Sequence, residues 1–297
     1  MAIIDPVTVK IIVKIPVGQD PHEIIASTDG KTAYVTNTGG GRAHEINVID
    51  LVGQQPLPNI DTKSFLGPHG IVFVGGKAWF SAEGAKAVGR YDPSSKQIDW
   101  SMGTGEDRTH MIYVTPDEKR VYTTNVNAGT VSILVDTLAV GGPPGSPSRN
   151  EWTHTAVKAA KGCEGFDVSP DGKQLWTVAA SDGSIAIIDV MSKKLIATID
   201  AKALGANRLK FTPDGKRVLV SSLRIGELFV IDVASRKEIK RVNIGKGGAG
   251  ILVEPNGARA FIGCTQDNYV AVIDLKTLEM ISKISLGGPD GLAWASR

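Results

Sequence analysis

Residues 164–200 read EGFDVSPDGKQLWTVAASDGSIAIIDVMSKKLIATID, four short apolar runs separated by turns. The runs are EGFDVS, QLWTVAA, SIAIIDV and KLIATID, and the tight turn Pro170-Asp171-Gly172 joins the first two. Each run has the length of a strand and is too short for a helix. We therefore predict four successive antiparallel strands, called A to D below.

The same unit recurs along the whole chain. Apolar residues followed by an aspartate mark each copy, at Asp5, Asp50, Asp92, Asp136, Asp189, Asp232 and Asp274. The successive spacings are 45, 42, 44, 53, 43 and 42 residues, close to the length of a four-stranded propeller blade. We predict an all-β, seven-bladed β-propeller that forms a single domain over residues 1–297.

The two ends of the chain are expected to share the last blade. The chain starts with candidate C and D strands, AIID and VKIIVKIPVG, and finishes on a candidate A strand in residues 291–297. Joining these N- and C-terminal strands would close the ring, but neither end carries a B strand. Either that blade is three-stranded and rearranged, or the natural protein is longer at its N-terminus.

Charge and composition argue against several classes of partner. The chain has 33 Lys and Arg against 31 Asp and Glu, a net charge of +2, so we expect no nucleic acid and no membrane as a partner. Its two cysteines, Cys163 and Cys264, have no CxxC or zinc spacing. The start MAIIDPVTVK lacks the features of a signal peptide. We expect a cytoplasmic protein, or a periplasmic or secreted one if an N-terminal segment has been removed. The oligomeric state is left open.

Two stretches resemble the YVTN family of β-propeller repeats. They are Pro21-His-Glu-Ile followed by residues 29–37 (DGKTAYVTN), and Ile188-Asp189 followed by residues 195–199 (LIATI). The similarity covers essentially the whole chain and implies the propeller fold. It implies no single function, because similar propellers include surface proteins, lactonase-like enzymes and cofactor-binding domains.

In such a blade the A strand lines the central channel, and the start of A meets the end of B at one rim. Counting back from each A–B turn predicts a ring of channel residues at the starts of the A strands. These are His22, His69, His110, Glu164, Asn207, Ala249 and Asp290. Hairpin pairing about Gly75-Gly76 places Glu83 beside His69. We name Asn207 and Asp290 as candidate substrate-binding residues.

Imidazoles and carboxylates are ligands for divalent cations. We therefore predict a metal site formed by His22, His69, His110, Glu83 and Glu164. Glu ligation suits Mg²⁺ or Ca²⁺, whereas three imidazoles favour Zn²⁺ or Fe²⁺, so the ion stays unidentified. The alternative is a solvated polar funnel whose histidines hydrogen-bond to loop carbonyls. Three roles are open for Cys163: a soft metal ligand, a reactive thiol or, most commonly for such a residue, a small side chain buried in the core.

One blade resembles the streptogramin B lyase family. The similar stretch runs from Gly67-Pro-His69-Gly through Trp79-Phe-Ser-Ala-Glu83 to Gly89-Arg90. The resemblance implies that His69 is a catalytic acid or base and Glu83 a metal ligand, with His22 as a second functional histidine. The other blades lack the WFT-rich pattern, so the substrate does not transfer.

These residues support a metal-dependent lyase or lactone hydrolase that acts on a small molecule at the channel mouth. A metal-bound substrate carbonyl would be polarised, and His69, His22 or His110 would move the proton. Two alternatives remain open: a non-catalytic propeller that binds a protein or ligand on its rim, and a propeller that carries a modified haem.

Two arginines and one insertion are further candidates for contact with the substrate. Arg108 and Arg208 would each clamp an anionic group of the substrate, although rim salt bridges are the commoner role of such residues. Residues 140–152 form a long insertion. It would either close the pocket with Arg149 and Trp152 or, as we slightly prefer, act as a spacer on the outer C–D edge.

Overall fold

The computed structural model describes residues 1–139 and 150–296 and places 26 strands in them. A hairpin of β1 (Ala2–Asp5) and β2 (Lys10–Lys14) comes first. Blade 1 contains β3 (Pro21–Ala26), β4 (Thr32–Asn37), β5 (Glu45–Asp50) and β6 (Gln55–Asp61), with a 3₁₀ turn at Gly39–Gly41. Blade 2 contains β7 (Pro68–Val74), β8 (Lys77–Ala82), β9 (Ala87–Asp92) and β10 (Gln97–Gly103).

The remaining strands follow in the same order. Blade 3 contains β11 (Thr109–Val114), β12 (Arg120–Asn125), β13 (Thr130–Leu138) and β14 (Asn150–Lys158). Blade 4 contains β15 (Cys163–Val168), β16 (Gln174–Ala179), β17 (Ser184–Asp189) and β18 (Lys194–Asp200). Blade 5 contains β19 (Ala206–Phe211), β20 (Arg217–Ser222), β21 (Glu227–Asp232) and β22 (Lys237–Asn243). Blade 6 contains β23 (Gly248–Val253), β24 (Arg259–Cys264), β25 (Tyr269–Asp274) and β26 (Glu279–Ser285).

Each blade is an antiparallel meander in chain order. The first strands lie side by side in the order β3, β7, β11, β15, β19 and β23, so they line the centre of a β-propeller. The A-to-D pattern predicted for residues 164–200 is confirmed by β15 to β18. Among the described residues, no helix has both the length and the apolar character needed to cross a bilayer.

The prediction of a seven-bladed propeller closed by terminal strands is wrong. The described residues form six four-stranded sheets, and β1 and β2 make a separate two-stranded sheet. Residues 286–296 form no strand. The physical reason is the missing B strand, since without it the C-terminal segment and β1 have no common neighbour to pair with.

From blade 1 to blade 6, each blade packs face to face on the next through its second strand. The third residue of each second strand is large and buried, at Tyr34, Trp79, Tyr122, Trp176, Leu219 and Phe261. The apolar clusters extend from one blade into the next. Burying one such side chain stabilises the fold by roughly 1.5–3 kcal/mol, so packing between neighbouring blades is a large part of the core.

Most of the long insertion, residues 140–149, lies outside the described residues, and so do both roles predicted for it. The insertion joins β13 to β14, the two outer strands of blade 3. Trp152 packs on Trp100 of the neighbouring blade, with ring centroids 4.8 Å apart, so it does not reach the channel. The other proposed pocket residue, Arg149, lies outside the described residues.

All six pairs of first and second strands share a β-bulge. In blade 1 the register jumps from Pro21 opposite Asn37 to Ile24 opposite Val35, which leaves two residues facing the single residue Thr36. The same jump occurs in the other five blades. Because a bulge bends the strand and re-aims its side chains, it determines which residues point into the channel.

A hydroxyl opposite the bulge joins one blade to the next. Thr124 Oγ1 accepts a hydrogen bond from the bulge N–H of Met111 at 3.3 Å and donates to the carbonyl of Glu164 in blade 4 at 2.6 Å. Thr36, Ser81 and Ser221 make the equivalent pair of bonds to their own bulge and to the following blade. Blade 4 has Val178 at this position and lacks the hydroxyl.

Replacing Thr124 by valine keeps the shape of the side chain and removes this link. The bulge N–H and the Glu164 carbonyl lose their partner in a buried site, so we expect Thr124→Val to lower the free energy of unfolding by about 1–3 kcal/mol. The control is Thr137→Val, because Thr137 is exposed and its hydroxyl bond to Glu151 is 3.4 Å long. Equal denaturation midpoints of the two variants in urea would contradict this role.

Candidate functional site

The bulges place the predicted ring residues around one end of the channel. The first residue of each bulge is His22, His69, His110, Glu164, Asn207 or Ala249. Asp290 joins this ring from the C-terminal segment, where the N–H of Gly291 donates to the carbonyl of His22 at 2.8 Å. The positions counted from the sequence in blades 1 to 6 therefore coincide with the first residues of the bulges.

The three histidines form a row in which neighbouring rings are close together and tilted by 35° and 39°. The ring centroids of His22 and His69 lie 4.6 Å apart, and those of His69 and His110 lie 3.8 Å apart. Gly70 permits this approach, because a Cβ atom there would lie 2.7 Å from the carbonyl oxygen of His110. His69 and His110 are buried, whereas the side chain of His22 is 30 % exposed.

Two carboxylates flank the imidazole of His110. Its Nδ1 lies 2.5 Å from Glu83 Oε1, and its Nε2 lies 2.8 Å from Glu164 Oε2 without hydrogen-bond alignment. Burial by itself raises the pKa of Glu164, but contact with His110 and the charge of Arg108 outweigh it and lower the pKa to about 2. The pKa of Glu83 is lowered by the same contacts against its burial. Both carboxylates are therefore ionised at neutral pH.

The register at Glu83 differs from the predicted one. Pro68, rather than His69, pairs with Ala82, and the bulge follows directly. Glu83 lies just beyond β8, where its N–H donates to the carbonyl of Gly67 at 2.9 Å. Its carboxylate consequently contacts His110 of the next blade instead of lying across the hairpin from His69.

His69 has an unused nitrogen. Its Nδ1 is buried and has no hydrogen-bond partner among the described residues. Burial, followed by the charges of His110 and Arg208, lowers the pKa of His69 well below its ordinary value, so the imidazole is neutral at pH 7. His69, Glu83 and His110 each offer one ligand atom within 4.8 Å of the others.

His22 lies between two aspartates. Its Nδ1 is 3.1 Å from Asp290 Oδ2, and its Nε2 is 3.3 Å from Asp20 Oδ1. Burial lowers the pKa of His22, but the hydrogen bond to Asp290 and the charges of both aspartates outweigh it and raise the pKa above its ordinary value. Because His22 is partly exposed, it has the chemistry of a proton carrier.

The two candidate arginines have different surroundings. Arg208 is buried. Its Nε and Nη2 both donate to Glu23 Oε1, at 3.0 Å and 2.5 Å respectively. Its Nη1 donates to the side-chain oxygen of Asn207 at 3.1 Å. Arg108 is 40 % exposed and lies 3.2 Å from Glu83 and 3.8 Å from Glu164. The guanidinium of Arg208 is thus engaged inside the protein, whereas Arg108 has a surface free for a ligand.

Sequence reasoning missed Asp20 and Glu23, which flank the Pro21-His22 dipeptide. The bulge adds one residue after each ring position, and in blades 1 and 5 that added residue is charged and joins the channel network. Glu23 and Arg208 occupy this second bulge position in blades 1 and 5. In a regular strand, successive side chains point to opposite faces, so the sequence pattern predicts only one inward-facing residue of two neighbours.

The mouth of the channel contains a cavity of about 350 Å³. Its lining is polar and consists of Asp20, His22, Thr38, Gly40, His69, Glu83 and Arg108. Five carboxylates, those of Asp20, Glu23, Glu83, Glu164 and Asp290, face only two guanidinium groups in this network. Carboxylates therefore outnumber guanidinium groups at the mouth, which favours a bound cation.

The Arg208–Glu23 pair predicts a large effect of removing one partner. Glu23→Ala leaves a buried guanidinium without its carboxylate, so we expect a loss of about 3–5 kcal/mol in the free energy of unfolding. The double variant Glu23→Leu with Arg208→Met removes both charges and should recover most of that loss.

The control is the exposed pair Glu227–Arg241, whose charged atoms are 3.3 Å apart. Glu227→Ala should cost less than about 1 kcal/mol. Urea unfolding of the four proteins measures these differences. A Glu23→Ala protein as stable as the Glu227→Ala protein would contradict the structural role of the pair.

Both cysteines are buried, and burial raises the pKa of each thiol to about 11. Cys163 Sγ bonds to the carbonyls of Asn125 and Thr130. Because the thiolate is the reactive form, we expect neither cysteine to react with a thiol reagent at pH 8 until guanidinium unfolds the protein. Fast labelling of the native protein, measured by mass spectrometry, would disprove this.

Comparisons with known proteins agree with the fold. The Cytochrome D1 heme domain family matches residues 150–297, just under half of the chain. That range includes Glu164, Arg208 and Asp290 but none of the three histidines in the row. No curated protein matches the chain.

Three solved structures resemble the chain over most of its length. Hydrazine synthase from Kuenenia stuttgartiensis has a TM-score of 0.73 at 17% identity, covering 93% of this chain and 90% of that one. A protein of unknown function from Desulfotomaculum acetoxidans has a TM-score of 0.76 at 12% identity, covering 97% and 92%. A proposed 6-phosphogluconolactonase from Bacteroides uniformis has a TM-score of 0.75 at 15% identity, covering 96% and 92%. At these identities the similarity establishes the fold alone, and it places the chain among the β-propeller proteins.

Proposed function

We propose that His69, Glu83 and His110 bind a divalent cation and that the protein is a small-molecule lyase or lactone hydrolase. The observation that carries this proposal is the convergence of the three side chains, with ligand atoms within 4.8 Å of one another. The buried, unpartnered Nδ1 of His69 supports it, because a buried polar atom without a partner costs free energy unless something binds it.

The protonation states suit ligation. A metal ligand must be a neutral imidazole or a carboxylate, and the lowered pKa values of His69 and Glu83 keep both in those forms at neutral pH. Two imidazoles and one carboxylate make Zn²⁺, Fe²⁺ or Mn²⁺ better candidates than Ca²⁺. The surplus of carboxylates around the mouth also favours binding of a divalent cation.

The other mouth residues have roles in this proposal. A bound cation would polarise a carbonyl oxygen of the substrate. His22, held by Asp20 and Asp290 and partly exposed, would move the proton in β-elimination or in opening of a lactone ring. Arg108, whose side chain is 40 % exposed, would hold an anionic group of the substrate. The structural similarity to a proposed 6-phosphogluconolactonase is compatible with the second reaction.

The match to the Cytochrome D1 heme domain suggests haem as a second candidate ligand. The residues of the channel mouth do not fit it. The ring centroids of His69 and His110 are only 3.8 Å apart, which leaves no space for a planar macrocycle between the two rings. Both nitrogens of His22 already face carboxylates, and a cavity of about 350 Å³ lies at the small end of ligand sites.

Metal binding tests the proposal directly. The wild-type protein, stripped with a chelator and titrated separately with Zn²⁺, Fe²⁺ and Mn²⁺, should bind one equivalent of at least one ion. His69→Ala and Glu83→Gln should each weaken that binding by about tenfold or more, because each removes a ligand. Isothermal titration calorimetry and elemental analysis measure the affinity and the stoichiometry.

The control variant is His44→Ala, since His44 is exposed and pairs with Asp61 outside the channel. Its metal affinity should equal that of the wild type. Thermal unfolding without metal should show that the three variants are folded. Equal affinity in His69→Ala and the wild type would overturn the site, and a haem absorption band in the purified protein would favour the second candidate.

A further inference from the structure

One position in each blade has a left-handed backbone conformation next to the channel mouth. It lies two residues before the first residue of the bulge, and its φ is between 58° and 78° in all six blades. Its carbonyl accepts a main-chain hydrogen bond, 2.9–3.0 Å long, from the first residue after the second strand. We call it the pre-bulge position. It is occupied by Asp20, Gly67, Arg108, Gly162, Gly205 and Gly247.

Two of these six residues depart from glycine. Blades 2, 4, 5 and 6 have glycine, which adopts a positive φ at little steric cost. Blades 1 and 3 have Asp20 and Arg108 instead, and the cost of the conformation is larger for an arginine than for an aspartate. Other residues with positive φ, such as Lys96 and Arg236, lie in exposed turns, so the conformation alone indicates nothing. The contrast between equivalent positions points to a role for the two charged side chains.

Both charged side chains face the same cavity. Asp20 and Arg108 line the cavity of about 350 Å³ at the channel mouth, and both are at least 40 % exposed. Blade 2, which supplies His69 and Glu83 to the proposed metal site, lies between the two blades that carry them. A negative and a positive group therefore flank the proposed metal site, one on each side.

Each group is held in place and keeps bonding capacity. Asp20 Oδ2 accepts the N–H of Gly40 at 3.1 Å, and its Oδ1 lies 3.3 Å from His22 Nε2. A carboxylate has about four acceptor sites, so Asp20 can accept further hydrogen bonds. Arg108 donates from Nε to Glu83 at 3.2 Å, and a guanidinium has five donors in all. Both side chains are therefore oriented before a ligand arrives, which favours recognition of two separate groups of that ligand.

We propose that the substrate is a small zwitterion, a molecule with one carboxylate and one ammonium group. Arg108 would bind the carboxylate and Asp20 the ammonium group, with the rest of the molecule in the cavity between them. This inference rests on the function proposed above and specifies its substrate class. The pair of opposite charges would also fix the direction in which the substrate lies.

The surrounding charges favour these two groups over others. A carboxylate is favoured over a phosphate dianion because Glu83 and Glu164 lie 3.2 Å and 3.8 Å from Arg108 and would repel a second negative charge. Glu83 is assigned to the metal, so Asp20 is the carboxylate of the cavity lining that is left for a cationic group. A substrate with only a negative charge would leave Asp20 facing it without a partner.

A series of ω-amino acids tests this inference, because its members differ only in the distance between the two charges. The probes are glycine, β-alanine, γ-aminobutyrate, δ-aminovalerate and ε-aminocaproate. Each is titrated into the full-length protein, with and without metal, by isothermal titration calorimetry. At least one member should bind saturably. The alkanoate and the alkylamine of the same chain length should bind at least about tenfold more weakly, because each lacks one hydrogen-bonded ion pair.

Glycine is the matched substitution at both positions, since four blades already have it there. Asp20→Gly should lower the affinity for the best zwitterion to that for its alkanoate and leave alkanoate binding unchanged. Arg108→Gly should lower it to that for the alkylamine and leave alkylamine binding unchanged. The control is Lys86→Gly, which should bind as the wild type does. Lys86 also has positive φ and an exposed charge, but it does not line the cavity.

Two results would overturn the inference. One is that no zwitterion of the series, at millimolar concentration, binds better than both of its singly charged analogues. The other is that each glycine variant weakens binding of the zwitterion and of the analogue that lacks the relevant group by the same factor. That result would mean that Asp20 and Arg108 only position their neighbours His22 and Glu83.

Metal titration of the same proteins keeps the two proposals apart. A wild-type protein that binds metal but has no preference for a zwitterion would lose the substrate class and keep the metal site. A protein that prefers a zwitterion but binds no metal would keep the recognition pair of Asp20 and Arg108 and lose the metal site.

Discussion

A single hydrogen-bonding arrangement connects the fold of this protein to its channel. In blades 1, 2, 3 and 5, a hydroxyl on the second strand accepts the N–H of its own bulge and donates to the bulge carbonyl of the next blade. The bulge would otherwise leave buried main-chain groups without partners. Each of these bonds therefore stabilises a local irregularity and fixes the position of the neighbouring blade at the same time.

The channel chemistry depends on that arrangement. The carbonyls that accept these bonds belong to His69, His110, Glu164 and Ala249, so the backbone of three site residues is held by the blade before it. This explains how imidazoles from three blades come close together although each belongs to a separate sheet. A site whose main chain is fixed in this way is preorganised, which is the usual requirement for metal binding and for catalysis.

Buried charges in the channel cost desolvation free energy, and they also give the channel one specific arrangement. Arg208 and Glu23 are 185 residues apart in sequence and join opposite parts of the ring. Glu83 and Glu164 are ionised because His110 and Arg108 lie beside them. Such networks stabilise a protein only when every partner is present, so the channel has one well-defined arrangement of charges that a ligand can recognise.

The sequence by itself determined the repeat, the four strands of each blade and the ring positions at His22, His69, His110 and Glu164. These features are local, because alternation, turn residues and a spacing of some 42 to 45 residues specify them within one unit. The number of complete blades, the bulges, the partner of Glu83 and the engagement of Arg208 were decided by the tertiary structure. They depend on how distant units pack around a closed ring, where a shift of one residue in register changes which side chains meet.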